Sequence, residues 1–169
     1  MANRAIARAK QLVESKALVA PVPVEAVVNT FGLQVVRQKF DGSVSAMLYR
    51  YEDSSGVVGV NSTHHRLRQR FSIAHELGHY LLHPGRPLIV DGVRVSFRNE
   101  ESSMATQPEE IEANQFAAEL LMPSDQVRAN SLTHFDNEAH EVQKLASIFD
   151  VSKDAMRFRL VNLGLHSVA

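Results

Sequence analysis

The sequence predicts an α+β fold: a small, mostly antiparallel sheet packed with a His-Glu-x-x-His helix, followed by a C-terminal helical segment. Three observations predict it. Segments rich in β-branched and aromatic residues cluster between residues 33 and 61. Stretches of helical apolar period, punctuated by Pro and Gly, fill most of the rest. The chain has 169 residues and is 44% apolar, enough to bury one core with a small appendage.

The elements follow in order. Residues 3–16 are rich in Ala and Arg, with apolar spacing suited to a short helix. Pro21 and Pro23 break it, and Val24 to Phe31 forms a second helix that Gly32 stops. Strands are expected at Leu33–Val36, Ala46–Tyr51 and Val57–Asn61. Glu52 to Gly56 suits the hairpin loop between the last two. Residues 66–83 read as a helix ended by Pro84-Gly85. Residues 84–107 read as a long loop or flap with one strand-like piece, Val93–Phe97. Pro108 opens a helix that runs to about Met122, where Pro123 stops it. Two or three further helices fill residues 124–165.

Composition narrows the chemistry. There is no cysteine, which excludes a disulfide scaffold, a thiol nucleophile and Cys-ligated zinc. Eight histidines remain, so a metal site would use His and carboxylates. The net charge of -1 gives no sign of a nucleic-acid or membrane partner. The first residues lack the pattern of a signal peptide, and no apolar stretch is long enough to span a bilayer. A cytoplasmic protein is expected.

The informative stretch is Phe71 to His83, which contains His75-Glu76-Leu77-Gly78-His79. On a helix, residues four apart share a face, so His75 and His79 can hold one metal ion. Glu76 is turned roughly 100° from His75. It flanks the pair, where it would hold a water and serve as general base, as a metalloprotease requires. Ile73, Leu77, Tyr80 and Leu81 form the opposite, apolar face. Ala74 and Gly78 border the histidines and would let another segment approach closely. The competing reading is a chance match on an ordinary amphipathic helix.

A catalytic zinc site usually has three protein ligands. The position where a third histidine would fall at the longer zinc-protease spacing is Gly85. The remaining candidates are Glu109, Glu110, Glu112 and Glu119. Glu110 shares a helical stripe with Asn114, Ala117 and Leu121, which is expected to face inward. Glu112 and Glu119 fall on the opposite side with Gln115 and are expected to be solvated. Glu109 lies above Ala113, Phe116 and Leu120 and ranks second. Asn114 would orient a ligating histidine by accepting its other N–H. A bland reading of Glu110 also exists, as a helix-start acid favoured by the macrodipole. His83 continues the four-residue spacing but precedes Pro84, which disfavours helical geometry there. It is expected to support the site rather than bind metal.

The segment Arg70 to His83 resembles the core motif of the ImmA/IrrE family of metallo-endopeptidases. The block Glu110 to Pro123 resembles that family's other signature, in the same order. The resemblance implies a gluzincin-like zinc site with His75, His79 and Glu110 as ligands and Glu76 as base. Zinc is the expected ion and manganese the alternative. The resemblance also implies a protein substrate: a helix-turn-helix repressor or antitoxin-type partner, cleaved to derepress prophage, mobile-element or stress genes. Residues 1–32 are too short for such a DNA-binding domain, so the partner is expected to be a separate protein. A zinc metallopeptidase core is expected over 1–123 and a C-terminal helical subdomain over 124–169.

Several features admit two readings. Val57–Asn61 is either the sheet edge on which an extended peptide lies, with Gly59 permitting close approach, or a core strand. The oxyanion-stabilising group has no assignment: Tyr80 reads as core, and His134 and His140 as surface residues. Residues 142–165 have a helix-turn-helix pattern, with Ser152 as cap and Lys153, Arg157 and Arg159 decorating the second helix. Packing of Leu145, Phe149, Met156 and Leu160 on the core is the favoured reading, and direct DNA binding is not expected. The basic run His64 to Arg70 reads as a solvated helix start. The rival functional class is a non-proteolytic toxin–antitoxin or transcription-regulatory binding module with a structural metal.

Overall fold

A computed structural model describes residues 3–92, 107–131 and 137–166. The architecture is α+β, with seven helices and four strands among the described residues. The expected strand-like piece Val93–Phe97, most of the 84–107 loop and His134 lie outside them.

Helix α1 (Arg4–Ser15) begins at Asn3, whose side chain accepts from the Ala5 and Ile6 amides. Ala5, Ala9 and Leu12 form its buried stripe. Helix α2 (Val24–Asn29) is followed by Gly32 at φ +75°, a left-handed residue that turns the chain into strand β1 (Leu33–Gln38). Strands β2 (Val44–Arg50) and β3 (Gly56–Asn61) form the expected hairpin. Its loop is tied by Asp53, whose Oδ1 accepts from the Ser55 amide and hydroxyl.

The sheet order is β1-β3-β2-β4, with β4 spanning Leu88–Gly92. β2 is antiparallel to both its neighbours, whereas β1 pairs with β3 in parallel. This places β3 inside the sheet and corrects the reading of Val57–Asn61 as an edge. The physical reason is legible afterwards. Its run is apolar on both faces, as in a strand covered on both sides, and Val58 and Val60 are fully buried. Gly59 faces Phe40 and Met47, whose side chains would lie 3.2 and 3.1 Å from an added Cβ. The space beside Gly59 is therefore filled from within the chain.

Helix α3 (Arg66–Leu82) crosses the sheet, and helix α4 (Gln107–Leu121) packs against it. The two approach closely at Gly78, where a Cβ would meet Phe116 Cδ1 at 3.1 Å and Ala113 Cα at 3.2 Å. This is the close approach that the small residues of α3 predict. α1 packs on another side of α4. Helices α5 (Ser124–Ser131), α6 (Glu138–Phe149) and α7 (Lys153–Asn162) follow. Asp150 ends α6 in the left-handed region, and the Ser152 hydroxyl caps α7 by accepting from the Ala155 amide.

One cluster of buried apolar side chains runs from Ala5 through the sheet and α3 to Leu145, Phe149, Met156 and Leu160. The helix-turn-helix pattern thus packs its apolar face on the rest of the chain. Arg159 does not decorate the surface: it is 6% exposed, donates through Nε to Met122 O at 3.0 Å and pairs with Glu119. The basic run keeps His65, Arg66 and Arg68 exposed, as a solvated helix start does, while Arg70 is partly buried. Arg66 binds Asp150 through two hydrogen bonds of 2.6 Å, and Arg70 donates to Val22 O and Asp150 O. Among the described residues no helix is long and apolar enough to cross a membrane.

Candidate metal centre

The His75, Glu76 and His79 side chains belong to the buried middle of α3, held between the sheet and α4. His75 is 2% exposed, and Glu76 and His79 are fully buried. α4 carries Glu110 in its first turn, where the helix dipole favours an anion. Close packing at Gly78 brings that carboxylate onto the histidines.

The ring nitrogens converge. His75 Nε2 and His79 Nε2 lie 3.0 Å apart. Glu110 Oε2 lies 3.3 Å from the first, and Glu110 Oε1 lies 3.2 Å from the second. These are the ligand atoms of the one group that could hold a metal ion among the described residues, all within 4.8 Å of one another. Two imidazole lone pairs and a carboxylate this close repel unless a cation lies among them. Protons can fill that role, and so can a divalent metal. Tetrahedral zinc bonds of about 2.0–2.1 Å imply ligand–ligand edges of about 3.3 Å, so the donor set fits.

The partners of the outward nitrogens support the same state. His75 Nδ1 lies 3.0 Å from Asn114 Oδ1. An amide oxygen only accepts, so Nδ1 carries the proton and Nε2 keeps its lone pair. On the other side, His83 Nε2 donates to Glu112 Oε2 at 2.8 Å. In the neutral form of His83 its Nδ1, 3.0 Å from His79 Nδ1, is an acceptor for the His79 proton, and the His79 Nε2 lone pair then faces the centre. Glu112 Oε2 also accepts from Arg4 Nη2 at 2.8 Å. The His83 hydrogen bond holds the Glu112 carboxyl below its usual pKa.

Electrostatics fit a ligand set. Burial alone would raise the Glu110 pKa, but without a metal, protons that His75 and His79 carry towards it supply hydrogen bonds and charge that outweigh burial and hold the carboxyl at about 2. Burial pushes the His79 pKa down. An ionised carboxylate and a neutral imidazole are the forms that bind metal.

The expectations for α4 divide. Glu110 and Asn114 reach the histidines as their stripe predicts, although Asn114 is exposed and the Glu110 side chain is 33% exposed. Glu112 is not a solvated bystander, since it bonds His83 and Arg4. Glu119 is 2% exposed, pairs with Arg159 and accepts from the Ser124 amide and hydroxyl. Glu109 pairs with Arg86 at 3.1 Å. The wheel fails for these residues because α4 has neighbours on more than one side, so it has no single buried face.

Arg50 escapes a reading of local pattern. From β2 it donates to the carbonyls of His79 at 2.8 Å, Tyr80 at 3.0 Å and His83 at 3.0 Å. It thereby caps the C-terminus of α3 with a cation, as the dipole favours. Burial lowers the Arg50 pKa, and Tyr80 and Glu76 oppose that effect only in part. The only local sign is an arginine ending a mostly apolar strand. Tyr80 is half-buried and its hydroxyl donates to Ser54 O at 2.6 Å, while His140 is exposed on α6.

Known proteins resemble the chain in sequence and in fold. The IrrE N-terminal-like domain of peptidase family M78 matches residues 28–161. The uncharacterized immunity region protein 2 of Bacillus phage phi105 is 32% identical over 87 residues, which cover 52% of this chain and 51% of that protein. The chain thus spans about half the length of that curated relative. A Mycobacterium tuberculosis transcriptional regulator shares the fold, with a TM-score of 0.58 at 15% identity. That match covers 92% of this chain and 46% of the regulator.

Proposed function

The chain belongs to the peptidase M78 family, described by the IrrE N-terminal-like domain, and from that premise we propose that it is a zinc-dependent endopeptidase. Its substrate is a helix-turn-helix repressor or antitoxin-type protein, separate from this chain and met in the cytoplasm. The observation that carries the reading is the convergence of His75 Nε2, His79 Nε2 and Glu110 on one point, with Glu76 buried next to His75 in sequence.

His75, His79 and Glu110 hold the metal, with zinc favoured for two imidazoles and one carboxylate. A divalent cation there would polarise the scissile carbonyl and acidify a water molecule. Glu76 takes the proton from the attacking water and delivers it to the leaving amine, so the peptide bond becomes a carboxylate and a free amine. Asn114 and His83 keep the outward nitrogens of His75 and His79 engaged. The phage immunity-region relative supports a repressor substrate, since its name places it among the genes of an immunity region.

The test incubates the metal-loaded protein with the small helix-turn-helix repressor encoded nearest its gene. Wild type cleaves it. Glu76→Gln keeps metal and fold but loses cleavage by about 10²-fold or more, the order expected for a general base. Equal cleavage by the two proteins overturns the mechanism. Stoichiometric metal with no cleavage by either favours the binding-module reading.

A further inference from the structure

His83 is 6% exposed, so both its ring nitrogens need partners within the fold. It finds His79 on one side and Glu112 on the other. Glu112 is held in turn by Arg4, whose guanidinium also donates to Leu82 O at 3.2 Å. A continuous chain of contacts thus runs from α1 to the metal centre through Arg4, Glu112, His83 and His79.

We propose that Glu112, held by Arg4 of α1, is a positioning residue that sets the metal affinity of the centre by fixing the tautomers of His83 and His79. The inference rests on the metal reading above and adds residues that it does not use. The reasoning is one of forced choices. A carboxylate facing Nε2 of a neutral His83 places the ring's single proton there and leaves Nδ1 to accept. His79 must then donate from Nδ1, and its Nε2 lone pair faces His75 and Glu110. A neutral amide in place of the carboxylate offers a donor as well as an acceptor, so it no longer excludes the opposite order. The opposite tautomer of His83 puts a proton on its Nδ1, which moves the His79 proton to Nε2, where it opposes metal.

The two links differ in weight. Glu112 bonds a buried ring directly, and loss of such a partner typically weakens metal binding about 10–100-fold. The Arg4 side chain is 61% exposed, and an exposed ion pair contributes little. Its loss is expected to weaken binding about 2–5-fold.

The test uses metal-free full-length protein and measures zinc affinity by competition with a chromophoric chelator, alongside the melting temperature without metal. Glu112→Gln weakens zinc about 10–100-fold. Arg4→Met weakens it by the smaller factor, Arg4→Lys recovers most of that loss, and the double variant binds like Glu112→Gln alone. Unchanged zinc affinity in Glu112→Gln or Arg4→Met, even with a lowered melting temperature, overturns the proposal and assigns these residues a purely structural part. Should Glu112→Gln fail to fold, the exposed Arg4 pair of variants decides alone. If wild type itself binds no zinc, the metal reading fails with it, an outcome distinct from an affinity that the variants leave unchanged.

Discussion

Glu119 of α4 and Arg159 of α7 form an ion pair with both side chains almost fully buried, at 2% and 6% exposure. Glu119 also caps α5 through Ser124, and Arg159 also holds the Met122 carbonyl. The pair therefore joins the helix that carries Glu110 to the C-terminal helices. Removing one partner strands a buried charge, which costs about 3–5 kcal/mol. Arg159→Met is expected to lose that much in urea unfolding. Glu119→Gln with Arg159→Met should lose less than the sum of the two single changes, because neither charge is then left alone. A solvated, DNA-facing arginine would instead change stability by less than about 0.5 kcal/mol, and that result would remove the structural role.

Gly78 sets the distance between α3 and α4. An added Cβ would sit 3.1 Å from Phe116 Cδ1 and 3.3 Å from the Ala113 carbonyl, which is backbone and cannot swing away. Gly78→Val is expected to destabilise by about 1–3 kcal/mol through overpacking. It should also weaken metal binding, since Glu110 and Asn114 reach the histidines from the displaced helix. Gly42→Ala is the control, because nothing lies within 4 Å of its added Cβ. Equal stability of the two variants in thermal unfolding would show that the helices do not need this contact.

Local pattern reveals much of the centre. The four-residue spacing of His75 and His79, the glycine between them and the Glu110–Asn114 stripe are properties of single helices, and helical period exposes them. What local pattern hides is set by neighbours distant in sequence. β3 is interior because β1 returns parallel to it, a crossover that no hairpin signal announces. β4 follows a Pro-Gly stop and is short, so Leu88–Gly92 merges with the loop around it. Glu112 and Glu119 look solvated on a wheel, yet their partners come from α1, from the residue that caps α3, and from α5 and α7. Arg4 and Arg50 act on α3 from 78 and 29–33 residues away, beyond the reach of any periodicity.

The choice between Glu109 and Glu110 as third ligand has a direct test. A metal that binds only the folded state stabilises it by about 2.7 kcal/mol at one hundred times its Kd. For a chain of this length that is a rise of roughly 5–10 °C in Tm. Wild type should show the rise on zinc addition, and Glu109→Ala should keep it, since Glu109 pairs with Arg86. Glu110→Ala should lose most of it. A loss in Glu109→Ala with retention in Glu110→Ala would reverse the assignment.

Asp150 makes stability depend on acid. Hydrogen bonds from Arg66, with charge from Arg66 and Arg70, hold its pKa below the usual value against a smaller effect of burial. The folded state thus binds this proton less readily than the unfolded chain. The stabilisation is fully present above the unfolded pKa of about 3.9 and is lost as pH falls through the lower folded value. Asp150→Asn isolates the effect, because asparagine tolerates the left-handed backbone found there at φ +55°. The variant is expected to melt roughly 1–4 °C below wild type at pH 7, the modest size of a partly exposed pair. The gap should narrow below about pH 4 as the wild-type carboxylate takes up its proton. A gap that stays constant from pH 7 to pH 2 would mean that the aspartate acts through its backbone conformation and not through its charge.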